Sequence, residues 1–401
     1  MKTLFAFCVF FLLAGSRFSD GAIAAGIFRS VHAVDLLFPV LLLCCARQLR
    51  ATVASMPSTV HGLWLLWLAY CVTFAQLGHF VTGLAIEGEP LIVSLLFAAK
   101  ELEFYVLMMF AAMVASLHPR FATRVCWTIL VGLAIWIPID LLAPSGYYLL
   151  GLPLEKGAIQ TGIVYGLCSL FAIDLLLNQV AASRTQVLAS MLIVLMLVAG
   201  MLLSLSRTAV LGFVAAAGVL CLMAPLRVLV AVGFLLAILL LAAALAVPDS
   251  AIDAYDLVFG RWGDASEHSG YRFSKWLELW DYLVEHPVLF LFGAGFDSPN
   301  ALVYGRDLGH ILAVDNAYIR RLFEVGALGF AVYAALLSSI AIGLMRHRAT
   351  RHGVSLLVFF LFSGITAETP QITQSAGLYF LLTGTLFGLL AHDKGCPPSA
   401  R

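Results

Sequence analysis

Apolar runs of about 20 residues, the length a helix needs to cross a bilayer, follow one another along most of the chain with short polar breaks between them. They predict helices near 3 to 18, 31 to 46, 60 to 84, 90 to 117, 125 to 143, 157 to 179, 185 to 204, 207 to 223, 226 to 247, 317 to 345, 353 to 367 and 374 to 391. The one long polar stretch begins at Pro248, and the motifs it carries continue to Gly329. The expected fold is therefore all-α: a polytopic transmembrane helical bundle of about 12 spans. It forms a single membrane domain over residues 1–401, with a long loop, 248–314, holding short amphipathic helices. No internal repeat or low-complexity linker divides it.

Inside the loop, Phe273, Trp276, Leu277, Trp280 and Val284 recur at helical spacing, with Arg272, Lys275, Glu278, Asp281 and Glu285 between them. Such a helix either lies along the membrane surface or packs on the spans, and Pro287 ends it. At the other end of the chain, Met1-Lys2 and the run Leu4 to Ala14 resemble a secretory signal. No convincing A-x-A cleavage site and no soluble domain follow, so the run reads as an uncleaved first span.

Composition agrees with this pattern. Hydrophobic residues make up 62% and charged residues 11%, and the mean hydropathy is +0.99, far from soluble usage, where about a quarter of residues are charged. The 23 basic residues balance 23 acidic ones, and no basic run fits a nucleic-acid partner. Of the 8 cysteines, all but Cys396 fall in apolar runs and none pairs with histidine at metal-ligand spacing, so they read as packing residues.

Charge places the loop. With a cytoplasmic N-terminus, Lys2, Arg47, Arg50, Arg120, Arg124, Arg184, Arg227, Arg346, Arg348, Arg351, Lys394 and Arg401 share one side, while Arg17, Arg29, Lys156 and Arg207 lie opposite. Short loops keep their basic residues inside, so 248–314 is expected outside, in the periplasm of a Gram-negative cell, with both termini cytoplasmic. A nucleotide-fed site in that loop is disfavoured.

Candidate chemistry clusters at this outer side. Ser204-Leu-Ser206-Arg207-Thr208 breaks two apolar helices. Its arginine is either an interfacial anchor or an anion clamp whose forked donors match phosphate oxygens. Asp315-Asn316 stands where the loop enters the next helix, followed by Tyr318, Arg320 and Arg321 and then Gly326-x-x-Gly329. Asp and Asn favour helix caps, yet a carboxylate beside arginines also suits a general base with a leaving diphosphate. Lys100, Glu101 and Glu103 lie well inside a span, where ionisable groups either pair or mark a functional path. Glu87 and Glu89 read as solvated surface, Glu368 as a candidate cleft residue and His310 as a loop histidine near Asp315. No Walker sequence, G-x-S-x-G elbow or outer D-x-D motif occurs.

The order of these motifs carries a family resemblance. Outward Ser-x-Ser-Arg-Thr at a helix start, then a long loop with Arg…Trp, His-Pro and Gly-x-Gly, then Asn-x-Tyr and Gly-x-x-Gly on the next helix resemble the O-antigen ligase and O-antigen polymerase (Wzy-type) superfamily, over roughly Ser204 to Gly329. The resemblance implies a GT-C-like, metal-independent glycosyltransferase of the inner membrane, without cofactors. Its partners would be an undecaprenyl diphosphate-linked glycan donor and acceptor, membrane lipid and a chain-length regulator. By position, Arg207 and Arg272 would contact diphosphate or sugar beside Asp315 as the catalytic set. Asn316, Tyr318, Arg320, Arg321, His310 and Glu368 would line the substrate site.

Asp315 falls where ligases place a histidine before the asparagine. The departure leans toward a polymerase of O-antigen, capsule or exopolysaccharide repeat units. A ligase that transfers finished polymer to lipid A-core or protein is the alternative. A lipid-linked glycan flippase is the rival from another class, kept open by Lys100 and Glu101.

Overall fold

A computed structural model of the chain describes residues 1–14, 33–82, 91–141, 148–149, 152–153, 157–177, 183–204, 206–223, 233, 265–296, 316–347, 350–365 and 373–395. These residues form helices α1 (Lys2–Ala14), α2 (Ala33–Arg47), α3 (Leu49–Ala54), α4 (Ser58–Thr82), α5 (Leu91–Leu117), α6 (Pro119–Leu141), α7 (Gly157–Leu177), α8 (Arg184–Leu203) and α9 (Arg207–Met223). After the loop region come α10 (Ala265–Glu285), α11 (Pro287–Phe292), α12 (Ala317–Met345), a 3-10 turn at Arg351–Gly353, α13 (Val354–Ser363) and α14 (Thr373–Gly395). A two-strand antiparallel ladder, β1 (Tyr148–Leu149) with β2 (Leu152–Pro153), joins α6 to α7.

Every segment expected from the apolar runs coincides with a helix except 226 to 247, which apart from Gly233 lies outside the described residues. Among the described residues, five stretches are long and apolar enough to cross a membrane: Pro119–Ile137, Ile159–Leu177, Arg184–Leu203, Ala317–Met345 and Ser375–Asp393. Lys2–Leu12, Ser58–Phe74, Arg207–Met223 and Arg351–Ser363 are shorter apolar helices. The short α3 was not foreseen, because six residues hold too little periodicity to be read.

Small residues set how closely the helices approach. Gly384 and Gly388 of α14 stand one turn apart, and a Cβ on either would fall on the carbonyls of Met108 and Ala112 in α5. This small-xxx-small spacing lets two helix backbones touch where apolar side chains alone give little net association. On α7, Gly162 faces Ser204, Ser206 and Ala209, and Gly166 faces the Phe359 ring of α13. Helix α1 belongs to the same core through Phe5, Cys8, Val9 and Leu12, the last against Gly377.

The amphipathic helix is oriented differently from its sequence stripe. Leu279 and Leu283 of α10 turn inward, forming a small separate core with Leu289, Ala294 and Phe323. Leu277, Trp280 and Val284 are exposed, as are Val288, Leu291 and Phe292 of α11. The helix thus packs on α12 and also presents an apolar outer face, a combination that one spacing pattern hides because both faces are apolar.

Candidate functional site

The candidate site grows from the first turns of α12. Asn316 is its N-cap, and its Oδ1 accepts hydrogen bonds from the backbone N–H groups of Tyr318 at 2.9 Å and Ile319 at 3.1 Å. This satisfies donors that a helix start leaves without intrahelical partners. The turn is also tied to the end of α13: Ala317 N donates to the Gly364 carbonyl at 2.9 Å, and the Tyr318 hydroxyl donates to the Leu361 carbonyl.

Behind the cap lies a buried charge cluster. Arg320 Nε reaches Glu324 Oε1 at 3.0 Å, one turn along α12. Arg321 pairs with Glu101 of α5 and lies 3.8 Å from Glu324 Oε2. Trp67 of α4 donates its indole N–H to the other Glu101 oxygen at 2.9 Å. The rings of Tyr333, Trp67 and Phe296 surround the Arg321 guanidinium, with its central carbon 5.3 to 5.6 Å from their centroids. Two cations face two carboxylates, so a group of charges that would be costly one by one in the membrane interior is compensated.

Lys100, next to Glu101 in sequence, points into a different cluster. It pairs with Asp35 of α2 and with Glu103 at 3.5 Å. The buried charges of α5 therefore divide between two sides, and only Glu101 reaches the candidate site.

A kink in α12 joins the polar segment to this cluster. Gly326 has φ 66° and ψ −179° inside the helix, a left-handed φ that glycine adopts without a Cβ penalty. The break lets the Phe323 and Glu324 carbonyls accept from Ala294 N at 2.8 Å and Gly295 N at 2.9 Å. Tyr70 of α4 adds a hydroxyl donated to the Val325 carbonyl at 2.7 Å. Gly293 and Gly295, also at positive φ, let the strand after α11 lie directly on the opened helix. The Gly-x-Gly and Gly-x-x-Gly motifs are thus two halves of one backbone junction.

The Ser204-x-Ser206-Arg207 turn is built by its serines. Ser204 Oγ donates to the Met201 carbonyl at 2.6 Å, closing α8, and Ser206 Oγ accepts from Ala209 N at 3.3 Å, opening α9. Arg207 is the first residue of α9 and half-buried. Helices α9 and α13 run antiparallel, since His352 lies against the Met223 backbone while Gly212 faces Phe359. The start of α9 therefore lies toward the end of α13 that accepts the hydrogen bonds of Ala317 and Tyr318.

Among the residues expected to act, Asn316, Tyr318, Arg320 and Arg321 are gathered in the N-cap and first turns of α12, and Arg207 lies at the same end of the bundle. Arg272 stands in α10, with its side chain outside the described residues. Asp315, His310, Glu368, Glu87 and Glu89 also lie outside them. Glu324, Trp67 and Tyr70 escaped the sequence reading. Glu324 had a signal, since it follows the two arginines at i,i+4 and i,i+3; the two aromatics had none in a chain so rich in them.

These elements, α8 and α9 with their serine turn, α10 with α11, and the kinked start of α12, make a contiguous stretch of sequence. Residues 191–334 match the O-antigen ligase family model. The match agrees with the superfamily that the order of motifs resembles. No match is found among curated proteins. The matched segment contains both halves of the glycine junction and both buried arginines. Trp67, Tyr70 and Glu101, which hold it, come from helices outside the segment.

Proposed function

We propose that this membrane protein is a metal-independent glycosyltransferase that polymerises oligosaccharide repeat units carried on undecaprenyl diphosphate. It works at the outer face of the inner membrane, with 248–314 periplasmic and both termini cytoplasmic. The carrying observation is the O-antigen ligase family segment at residues 191–334, with Asp315 standing where ligases place histidine.

In the reaction, a sugar hydroxyl of the incoming unit attacks the anomeric carbon of the growing chain. The bond from that carbon to the carrier diphosphate breaks, and the diphosphate leaves on its lipid. Asp315 takes the hydroxyl proton, and Arg207 and Arg272 offset the charge that develops on the departing diphosphate. Asn316, Tyr318 and Arg320 shape the acceptor side, with His310 and Glu368 from the flanking segments. Energy comes from the donor's own phosphoester bond.

Deletion of the gene tests this reading. The expected result is accumulation of single lipid-linked repeat units outside the membrane, with Arg207→Ala, Arg272→Ala and Asp315→Ala failing to restore polymer at matched protein level. Full-length polymer from all three variants would remove the proposed site. A ligase is the second reading, favoured by the description of the matched family itself; it requires long polymer left on the lipid carrier. Units retained inside the membrane would instead identify a flippase.

A further inference from the structure

The geometry points to Glu101 of α5, oriented by Trp67, as the positioning residue for the transfer site on α12. This rests on the polymerase reading. A helix normally takes its direction from its whole length, but Gly326 interrupts α12 with a non-helical backbone. The segment Ala317 to Val325, which carries Tyr318, Arg320 and the Asn316 cap, must therefore be oriented by anchors of its own.

Those anchors have different characters. At its outer end the segment is held by Ala317 N on Gly364 and the Tyr318 hydroxyl on Leu361. At its inner end the Phe323, Glu324 and Val325 carbonyls are held by Ala294, Gly295 and Tyr70. Rotation of the segment about its own axis is set between them, on one side by Phe323, packed with Leu279, Leu283 and Leu289, and on another by Arg321. Its planar guanidinium is directional, is buried among three rings and meets a carboxylate fixed by an indole N–H. Arg321 also shares Glu324 with Arg320, so a turn of one guanidinium carries to the other. Glu101 meets the α12 segment through Arg321. Its effect is on where Arg320 and the cap stand, and small misplacements of reacting groups cost about 100-fold in rate.

The test uses the full chain in nanodiscs, with lipid-linked glycan extracted from a strain deleted for the gene. Glu101→Gln keeps the shape and removes the charge; Trp67→Phe keeps an aromatic ring beside Arg321 and removes the donor to Glu101 together with the second ring of the indole. Per folded, monodisperse protein, kcat is expected to fall about 10- to 100-fold in Glu101→Gln, and less but by at least about threefold in Trp67→Phe, with KM within about twofold of wild type. Hydrogen exchange of amides 318–325 is expected to quicken about tenfold in Glu101→Gln while other helices keep their rates. If Glu101→Gln does not fold, Trp67→Phe alone decides by the same two readouts. Wild-type kcat in the variants, a rise in KM alone, or faster exchange throughout the protein would overturn the assignment. If the wild type joins no units, the polymerase reading falls by itself, and the exchange pattern still decides the role of Glu101.

Discussion

Gly293 and Gly326 meet back to back: a Cβ built on Gly293 would lie 2.6 Å from the Gly326 nitrogen, and one on Gly326 would fall on the Leu291 carbonyl and the Gly293 nitrogen. Both have positive φ. The junction between the polar segment and α12 therefore depends on two missing side chains, one on each strand of the contact.

Alanine at either position is expected to strain the backbone and open the junction. The φ penalty alone is about 1–3 kcal/mol, and the backbone collision adds to it. Gly326→Ala and Gly293→Ala should each lower the thermal midpoint of the purified protein. The double variant should lose less than the sum of the two, because both break the same contact.

Tyr70→Phe removes the hydroxyl donated to Val325 while leaving the ring stacked near Trp67 and Phe74. The expected cost is about 1 kcal/mol, with the greater part from the carbonyl left without its donor. Thermal unfolding compared with Tyr70→Leu would separate the bond from the ring, the leucine variant being the less stable of the two.

Arg321→Met strands the Glu101 carboxylate inside the bundle. Breaking one half of a buried pair costs about 3–5 kcal/mol, so poor yield or a sharply lowered midpoint is expected. Adding Glu101→Gln to Arg321→Met should restore part of the loss, which a double-mutant cycle on the midpoints measures.

Gly388→Leu places a branched side chain on the Ala112 carbonyl and forces α14 away from α5. Gly218, which has open space around it, serves as the control. The first substitution should prevent recovery of monodisperse protein, and Gly218→Leu should leave recovery unchanged.

The particular residues show how legible the site was. Arg320, Arg321 and Asn316 were readable as a group because they lie within about one and a half helical turns, and the i,i+4 spacing to Glu324 was there to be read. Ser204 and Ser206 were visible as a break between apolar runs, although their work as the closing and opening caps of two helices emerged only from hydrogen-bond geometry. The stripe of Trp276, Leu277, Trp280 and Val284 predicted α10 correctly as a helix, but Leu279 and Leu283 face its core. With apolar residues on both faces, spacing names the helix and not the side that packs.

By itself, the sequence determined the apolar helices, their approximate ends, the polar segment and the family to which residues 191–334 are matched. These follow from local rules: bilayer thickness sets helix length, and caps and glycines act over a few residues. Only the tertiary structure decided that Glu101, rather than Lys100, reaches Arg321, that Trp67 orients it, and that Gly293 and Gly326 close on each other. The first joins helices far apart in the chain, Arg321 and Glu101 being 220 positions apart, and the other two join neighbouring elements whose separation still exceeds the reach of local spacing rules, as with Trp67 and Glu101 at 34 positions. In an apolar sequence nearly every helix face is equally ready to be buried, so the packing alone selects which charges meet.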